Sequence, residues 1–332
     1  MDRFEPRASL RNGHWMTLYG WGNPRRFPRL PAPVRRLFDV ARDARVVADC
    51  HWQAEPRAHA TLIALHGLNG SSDAHYMRGL ASKAYQRGLN VVRLNQRNCG
   101  GTEHLAAGLF HSGLTTDAAR VIDELIHVDG LRTIAVSGYS LGGNLALKLA
   151  GEYGANAPRE LLGVAAVSPI IEIEECTRAL ERPENWIYEW NFVRDLKRRM
   201  RRKGRLLPGV YDLGVLGSIR TVREFDERLT APHFGFRNAS DYYHRASAMR
   251  VIDRIRVPAL VITSEDDPFV PSQPFKDPKV AGNPHIELHV CEHGGHCGFI
   301  ADRRGEDDGY WAEARIIDFV TGLAPDNSSA HL

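Results

Sequence analysis

The clearest chemical content of the sequence lies in Gly138-Tyr139-Ser140-Leu141-Gly142. A serine held between glycines can sit on a tight strand-to-helix turn with its hydroxyl exposed, because Gly138, Gly142 and Gly143 carry no Cβ atoms to clash there. The flanking residues have the character such a turn needs. Thr133-Ile134-Ala135-Val136 predicts a buried strand, and residues 141–152 predict a helix, with Leu145 and Leu149 on one face and Lys148 four positions ahead of Glu152. The N-terminus of that helix would present free N–H groups and the positive end of its dipole to an oxyanion forming beside Ser140, with Leu141 N–H as the expected donor. The chemistry is nucleophilic acyl transfer at Ser140.

Serine is a weak nucleophile at neutral pH and needs a base, oriented in turn by a carboxylate, in the chain order Ser, acid, His for a turn of this kind. Asp266-Asp267-Pro268 follow the strand-like run 259–263, and His293-Gly294-Gly295-His296 follow the run 286–290. Asp267, directly before Pro268-Phe269-Val270-Pro271, is preferred as the acid, with Asp266 as its alternative. His296, carried to a loop tip by two glycines, is preferred to His293 as the base. His66-Gly67-Leu68 ends the run 61–65, which makes Leu68 N–H the expected second oxyanion donor and His66 a structural side chain that holds the loop. Cys291, His293, His296 and Cys297 could be read as metal ligands, but they form neither a Cys-x2-Cys pair nor a His-x3-His helix face, so no metal site is expected. Cys99 has no placed base. The chemistry requires no cofactor.

The elements that must position these residues follow from hydrophobic patterning. Short apolar, β-branched runs at 46–47, 61–65, 89–94, 133–136, 161–167, 259–263 and 286–290 read as buried strands, and residues 74–87, 114–128 and 141–153 have helical spacing. Such alternation implies a mostly parallel sheet covered on both faces. It breaks after Pro169. Residues 170–255 contain no convincing strand and are expected to form a helical cap or lid inserted into a core of residues 40–169 and 256–323, which ends in an amphipathic helix around 311–323. Residues 1–39, rich in Pro, Arg and Trp, are expected to be an irregular N-terminal arm, and 324–332 a flexible tail.

Composition narrows the class. With 332 residues, 43% hydrophobic and 25% charged, the chain is that of a soluble globular protein. A net charge of +3 is too small for a protein that neutralises nucleic-acid phosphates. Five scattered cysteines, an odd number, do not form a disulfide framework, and the N-terminal segment lacks an apolar secretory core, so a cytoplasmic location is expected. Residues 194–205 hold eight Lys or Arg against the single Asp195. The ordinary reading is a solvated helix face; the functional one is peripheral contact of the lid with an anionic membrane surface.

Taken together, the motifs resemble the YheT-like branch of the α/β-hydrolases, which includes mammalian abhydrolase-domain lipases and yeast medium-chain ethyl ester synthase/esterases. The resemblance rests on residues 66–71, 97–102, Gly138 to Asn144, Phe225-Asp226, Phe234-Gly235-Phe236, Asp241-Tyr242-Tyr243, Asp266-Asp267-Pro268 and residues 293–296. It spans roughly residues 40 to 322. It implies an α/β-hydrolase fold with a mostly parallel eight-stranded sheet, flanking helices and a helical lid. It also implies hydrolysis of carboxylic esters of short- to medium-chain acyl groups or lipids, and carries the triad to Ser140, Asp267 and His296. Acyl transfer to an alcohol, and a binding protein that kept the fold without activity, are the alternatives. Arg97-Asn98, where the family pattern would place glycine beside the arginine, and the basic lid segment are the visible departures.

Overall fold

Two neighbouring parallel strands, β3 (Thr61–Leu65) and β5 (Ile134–Tyr139), lie at the centre of the protein, and every residue of both is buried. The computed structural model describes residues 3–305 and 308–324. Around the central pair the sheet is completed by β1 (Val34–Ala41), β2 (Ala44–His51), β4 (Asn90–Asn95), β6 (Leu161–Val167), β7 (Ala259–Ser264) and β8 (Ile286–Cys291). The order across it is β1-β2-β4-β3-β5-β6-β7-β8. Only β1 with β2 and β2 with β4 are antiparallel; the other neighbours run parallel.

Because side chains alternate across a strand, each central strand feeds two cores. Ile63 and Leu65 of β3 face one, together with Val92, Val136 and Leu145, while Leu62 and Ala64 face the other, together with Leu80, Ile316 and Val320. The first side is covered by α3 (Thr116–His127) and α4 (Leu141–Tyr153), the second by α2 (His75–Gln86) and α11 (Trp311–Leu323). Helix α4 is buried along nearly its whole length, which is why small residues (Gly142, Gly143, Ala146, Ala150) dominate it. Its Lys148 ammonium is neutralised by Glu152 at 2.5 Å.

Between β6 and β7 the chain is helical: α5 (Ile173–Leu180), α6 (Trp186–Leu206), α7 (Val222–Phe225), the π-helical turn Asp226–Thr230, α8 (Ala231–His233) and α9 (Ala239–Ala246). The short α10 (Pro278–Ala281) lies between β7 and β8.

The N-terminal region departs from the expectation of an irregular arm over 1–39. It contains α1 (Gly13–Gly22), capped by the Asn12 side chain accepting from Trp15 N–H, and most of β1. β1 escapes sequence patterning because it is an edge strand: of its eight residues only Phe38 and Val40 are buried. Its Arg36 is held instead by ion pairs to Glu124 and Asp129. Apart from Ala324, the expected flexible tail lies outside the described residues.

Candidate active site

Ser140 is the residue at which β5 hands over to α4. Its backbone has φ 54° and ψ −116°, a conformation that an L-residue adopts only when the surroundings impose it. Those surroundings are the neighbouring glycines. A Cβ on Gly138 would lie 2.0 Å from the Gly142 carbonyl oxygen, and one on Gly142 would lie 2.3 Å from that of Leu65. The turn closes because β5, α4 and β3 approach to backbone contact. Asn144 ties the first turn of α4 to its neighbours: its amide donates to the carbonyls of Ser112 and Ala246, and its oxygen accepts from Ala248 N–H.

The loop after β3 lies against this turn, with an ideal Cβ of Gly67 only 3.3 Å from Ser140 Cβ. His66 is fully buried. Its Nδ1 bonds the Gly67 carbonyl oxygen at 2.8 Å and its Nε2 accepts from Gln96 N–H, so the ring is a neutral strut. Burial pushes its pKa down to about 4. Tyr76, at the start of α2, braces the loop from the other side by accepting from Gly67 N–H at 3.0 Å. Asn69, at φ 59°, links the loop to α6, donating to the Phe192 carbonyl and accepting from Arg199.

Both candidate acid–base pairs form, and they are different pairs. His296 Nδ1 lies 2.9 Å from Asp267 Oδ2, and the Asp267 side chain has no exposure to solvent. The other Asp267 oxygen accepts from the amides of Phe269 and Val270, the turn that follows it in sequence. Asp266 instead faces His293 at 3.2 Å and accepts from Gly295 N–H. Burial opposes a charged imidazole at His296, but Cys297 and Asp267 beside it more than offset that and raise its pKa to about 10. The Phe269 ring, 4.1 Å away between centroids, covers the imidazole.

Several residues that hold this region carry no recognisable sequence signal. Thr17 of α1 accepts from His296 N–H at 2.8 Å and donates to Gly13. A Cβ on Gly295 would lie 2.5 Å from the Gly13 carbonyl oxygen, so α1 packs directly on the histidine loop. Ser168 accepts from Cys297 N–H at 3.0 Å, and Tyr188 of α6 meets His14 of α1 at 3.2 Å.

Ser140 lines two cavities. The inner one, of about 100 Å³, is walled chiefly by apolar side chains of the helical segment and of the loop before α3, among them Phe110, Leu180, Leu196, Met200 and Phe225, with Leu141 beside the serine. The outer cleft, of about 490 Å³, runs between α1 and α6 past Thr17, Trp21, Tyr76 and Tyr188 to His296. Leu68, Phe192 and Phe269 border both. Asp226, buried at the inner cavity, accepts from the Tyr243 hydroxyl, and burial lifts its carboxyl to about 6. The 97–102 loop is held from behind: Arg97 grips Asp117 with two bonds of 2.6 and 2.7 Å, and the buried Lys203 ammonium donates to Asn98 and to the Glu103 carbonyl.

A family model described as "Alpha/beta hydrolase family" matches residues 62–306. Over 278 residues the chain is 34% identical to the YheT protein of Escherichia coli (strain K12), covering 82% of this chain and 81% of that one. It is 28% identical to phospholipase ABHD3 of Mus musculus, over 75% of this chain and 60% of that protein. It is 30% identical to medium-chain fatty acid ethyl ester synthase/esterase 2 of Saccharomyces cerevisiae, over 78% and 61% respectively. Among solved structures, the Pyrococcus furiosus esterase Pf2001 superposes with a TM-score of 0.56 at 17% identity, covering 88% of this chain and 93% of that one, a likeness of fold.

Proposed function

Since the chain belongs to the alpha/beta hydrolase family, we propose that it is a serine hydrolase that cleaves carboxylic esters of short- to medium-chain acyl groups or lipids through an acyl-enzyme on Ser140. One observation carries the reading: the strained Ser140 turn and His296, whose Nδ1 is fixed by Asp267, border the same cleft. The ester chemistry in the names of the mouse and yeast relatives points the same way.

In this mechanism Ser140 Oγ attacks the ester carbonyl while His296 Nε2 takes its proton, and Asp267 stabilises the imidazolium. The amides of Leu68 and Leu141 hold the oxyanion, each worth about 100- to 1,000-fold in rate. His296 returns the proton to the departing alcohol, then activates a water that attacks the acyl-enzyme and frees the acid. The acyl chain occupies the inner apolar cavity and the alcohol the outer cleft. Helices α5 to α9 act as the lid that sets acyl length. No cofactor or metal takes part.

Acyl transfer to an alcohol is the second reading, in which an alcohol acceptor would contact the apolar rim of the outer cleft at Trp21, Ile187 and Trp190. Ester formation with added ethanol distinguishes transfer from hydrolysis. The principal test is labelling by a fluorophosphonate probe, together with turnover of p-nitrophenyl esters. The wild type should label and turn over, and Ser140→Ala should lose the label and about a millionfold in kcat. A wild type that neither labels nor turns over any such ester is a binding protein, and the enzyme reading fails.

A further inference from the structure

The outer cleft opens on a rim of large exposed aromatic side chains. Trp21 of α1 and Trp190 of α6, which line it, are 64% and 54% exposed, and Trp186, one helical turn before Trp190 and outside the cleft lining, is 65% exposed. Single exposed apolar residues are ordinary, but two exposed tryptophans at one mouth, with a third a helical turn away, are not. Helix α6 continues this rim as a charged face. At 3.6 residues per turn, Trp186, Trp190, Arg194, Arg198, Arg201 and Arg205 share one side, while Val193, Leu196 and Met200 are buried on the other. The acidic residues of α6 are two. Glu189 is buried and accepts from Val222 N–H, and Asp195 pairs with both Arg194 and Arg198. Among the described residues Arg201 and Arg205 have no ion-pair partner. The outward face therefore presents four arginines against one aspartate along about 30 Å of helix.

We propose that this face of α6, with Trp21 across the cleft, is a docking surface for an anionic lipid bilayer. Arginine side chains reach the negative surface of such a leaflet, and tryptophan rings settle at the level of its headgroups. A helix with an apolar seam packed on its own protein and an Arg/Trp face outward lies in the interface plane without crossing it. Among the described residues no helix is long and apolar enough to span a membrane. A rigid protein seated across Trp21 and Trp190 would close the mouth that leads to Ser140, whereas a fluid lipid surface leaves it supplied with acyl esters. The use of the surface rests on the ester-hydrolase reading; the binding itself does not.

The test is flotation of the full chain with phosphatidylcholine vesicles prepared with or without phosphatidylglycerol. Binding to the anionic vesicles should be at least about tenfold stronger and should weaken with added salt. The triple variant Trp186→Ser, Arg201→Glu, Arg205→Glu should lose about tenfold or more of that binding while turning over soluble p-nitrophenyl acetate and melting like the wild type. Equal partitioning to both vesicles, no partitioning, or a variant that binds like the wild type overturns the proposal. So does a concentration-dependent dimer that the variant abolishes, which would make the face a protein interface. Anionic-vesicle binding by a chain that hydrolyses no ester leaves the docking surface standing and removes the ester reading alone.

Discussion

Asp267 divides its carboxylate between two tasks: Oδ2 holds His296 Nδ1 at 2.9 Å, and Oδ1 holds the amides of Phe269 and Val270. The turn therefore fixes the carboxylate, and the carboxylate fixes the ring. Asp267→Asn should lower kcat on p-nitrophenyl butyrate by about 10⁴-fold. Asp266→Asn, which keeps an oxygen for Gly295 N–H and changes only the contact to His293, should stay within about tenfold of wild type. Equal losses in the two variants would mean that Asp267 does not serve the base.

The pH profile follows from the same pair. Burial disfavours the charged imidazole, yet Cys297 and Asp267 raise His296 to about 10. A general base must be neutral to accept a proton, so the acid limb of kcat/KM should lie well above the ordinary histidine value of about 6.5. Activity should still be climbing at mildly alkaline pH. The stability that protonated His296 contributes is complete below about 6.5 and is lost as pH rises through about 10, so thermal stability should fall over the window in which activity rises. Asp267→Asn should move the limb downward; a limb at 6.5 in the wild type would remove the argument.

Thr17 should matter although it lies in α1, far from the catalytic motifs in sequence. Thr17→Val removes the acceptor of His296 N–H, and an unsatisfied donor in this largely buried loop costs about 1–3 kcal/mol. Denaturant unfolding should show that loss, with kcat falling more than KM changes. Thr17→Ser keeps the hydroxyl and should recover most of both, which a loss caused by packing alone would not allow.

Acyl length should be set by the inner cavity. Leu180 lines it, and Leu180→Trp fills space that a chain would need. The ratio of kcat/KM for an octanoate ester to that for an acetate ester should drop by about tenfold or more. An unchanged ratio would place the acyl chain elsewhere.

Two glycines make a matched pair for stability. Gly142→Ala drives a Cβ to 2.3 Å from the Leu65 carbonyl and should destabilise by more than about 3 kcal/mol or prevent folding. Gly322, in α11, has open space around it, and Gly322→Ala should stabilise by up to about 1 kcal/mol through helix propensity. Melting temperatures of the two variants should move in opposite directions.

Most of this architecture is legible in the residues because its signals are local. The buried strands are continuous apolar runs, α4 begins directly after Ser140 and runs on through Gly142 and Gly143, and the expected helices at 74–87 and 114–128 differ from α2 and α3 by no more than two residues at either end. Strand β1 was not legible, since an edge strand with only Phe38 and Val40 inside has no buried run to read. Nor was α1, whose value lies in docking on a loop some 280 positions away. Tyr76 and Ser168 brace the site through single bonds to backbone amides, Gly67 N–H and Cys297 N–H, and any polar side chain in the right place would read the same in sequence. The place of Asp267 directly before Pro268 favours it over Asp266, and their different partners, His296 and His293, are visible only in space.

The bond between Thr17 and His296 joins residues 279 positions apart. A ribosome releases α1 and the Ser140 turn well before the histidine loop, so the contact that steadies His296 can form only after α1 and that loop have both been made. A polypeptide stopped short of β8 would carry the Ser140 turn, most of the sheet and the lining of the inner cavity, yet lack His296, the base of the proposed mechanism. On the proposed mechanism, turnover therefore waits until residue 296 has been made and has folded back onto α1.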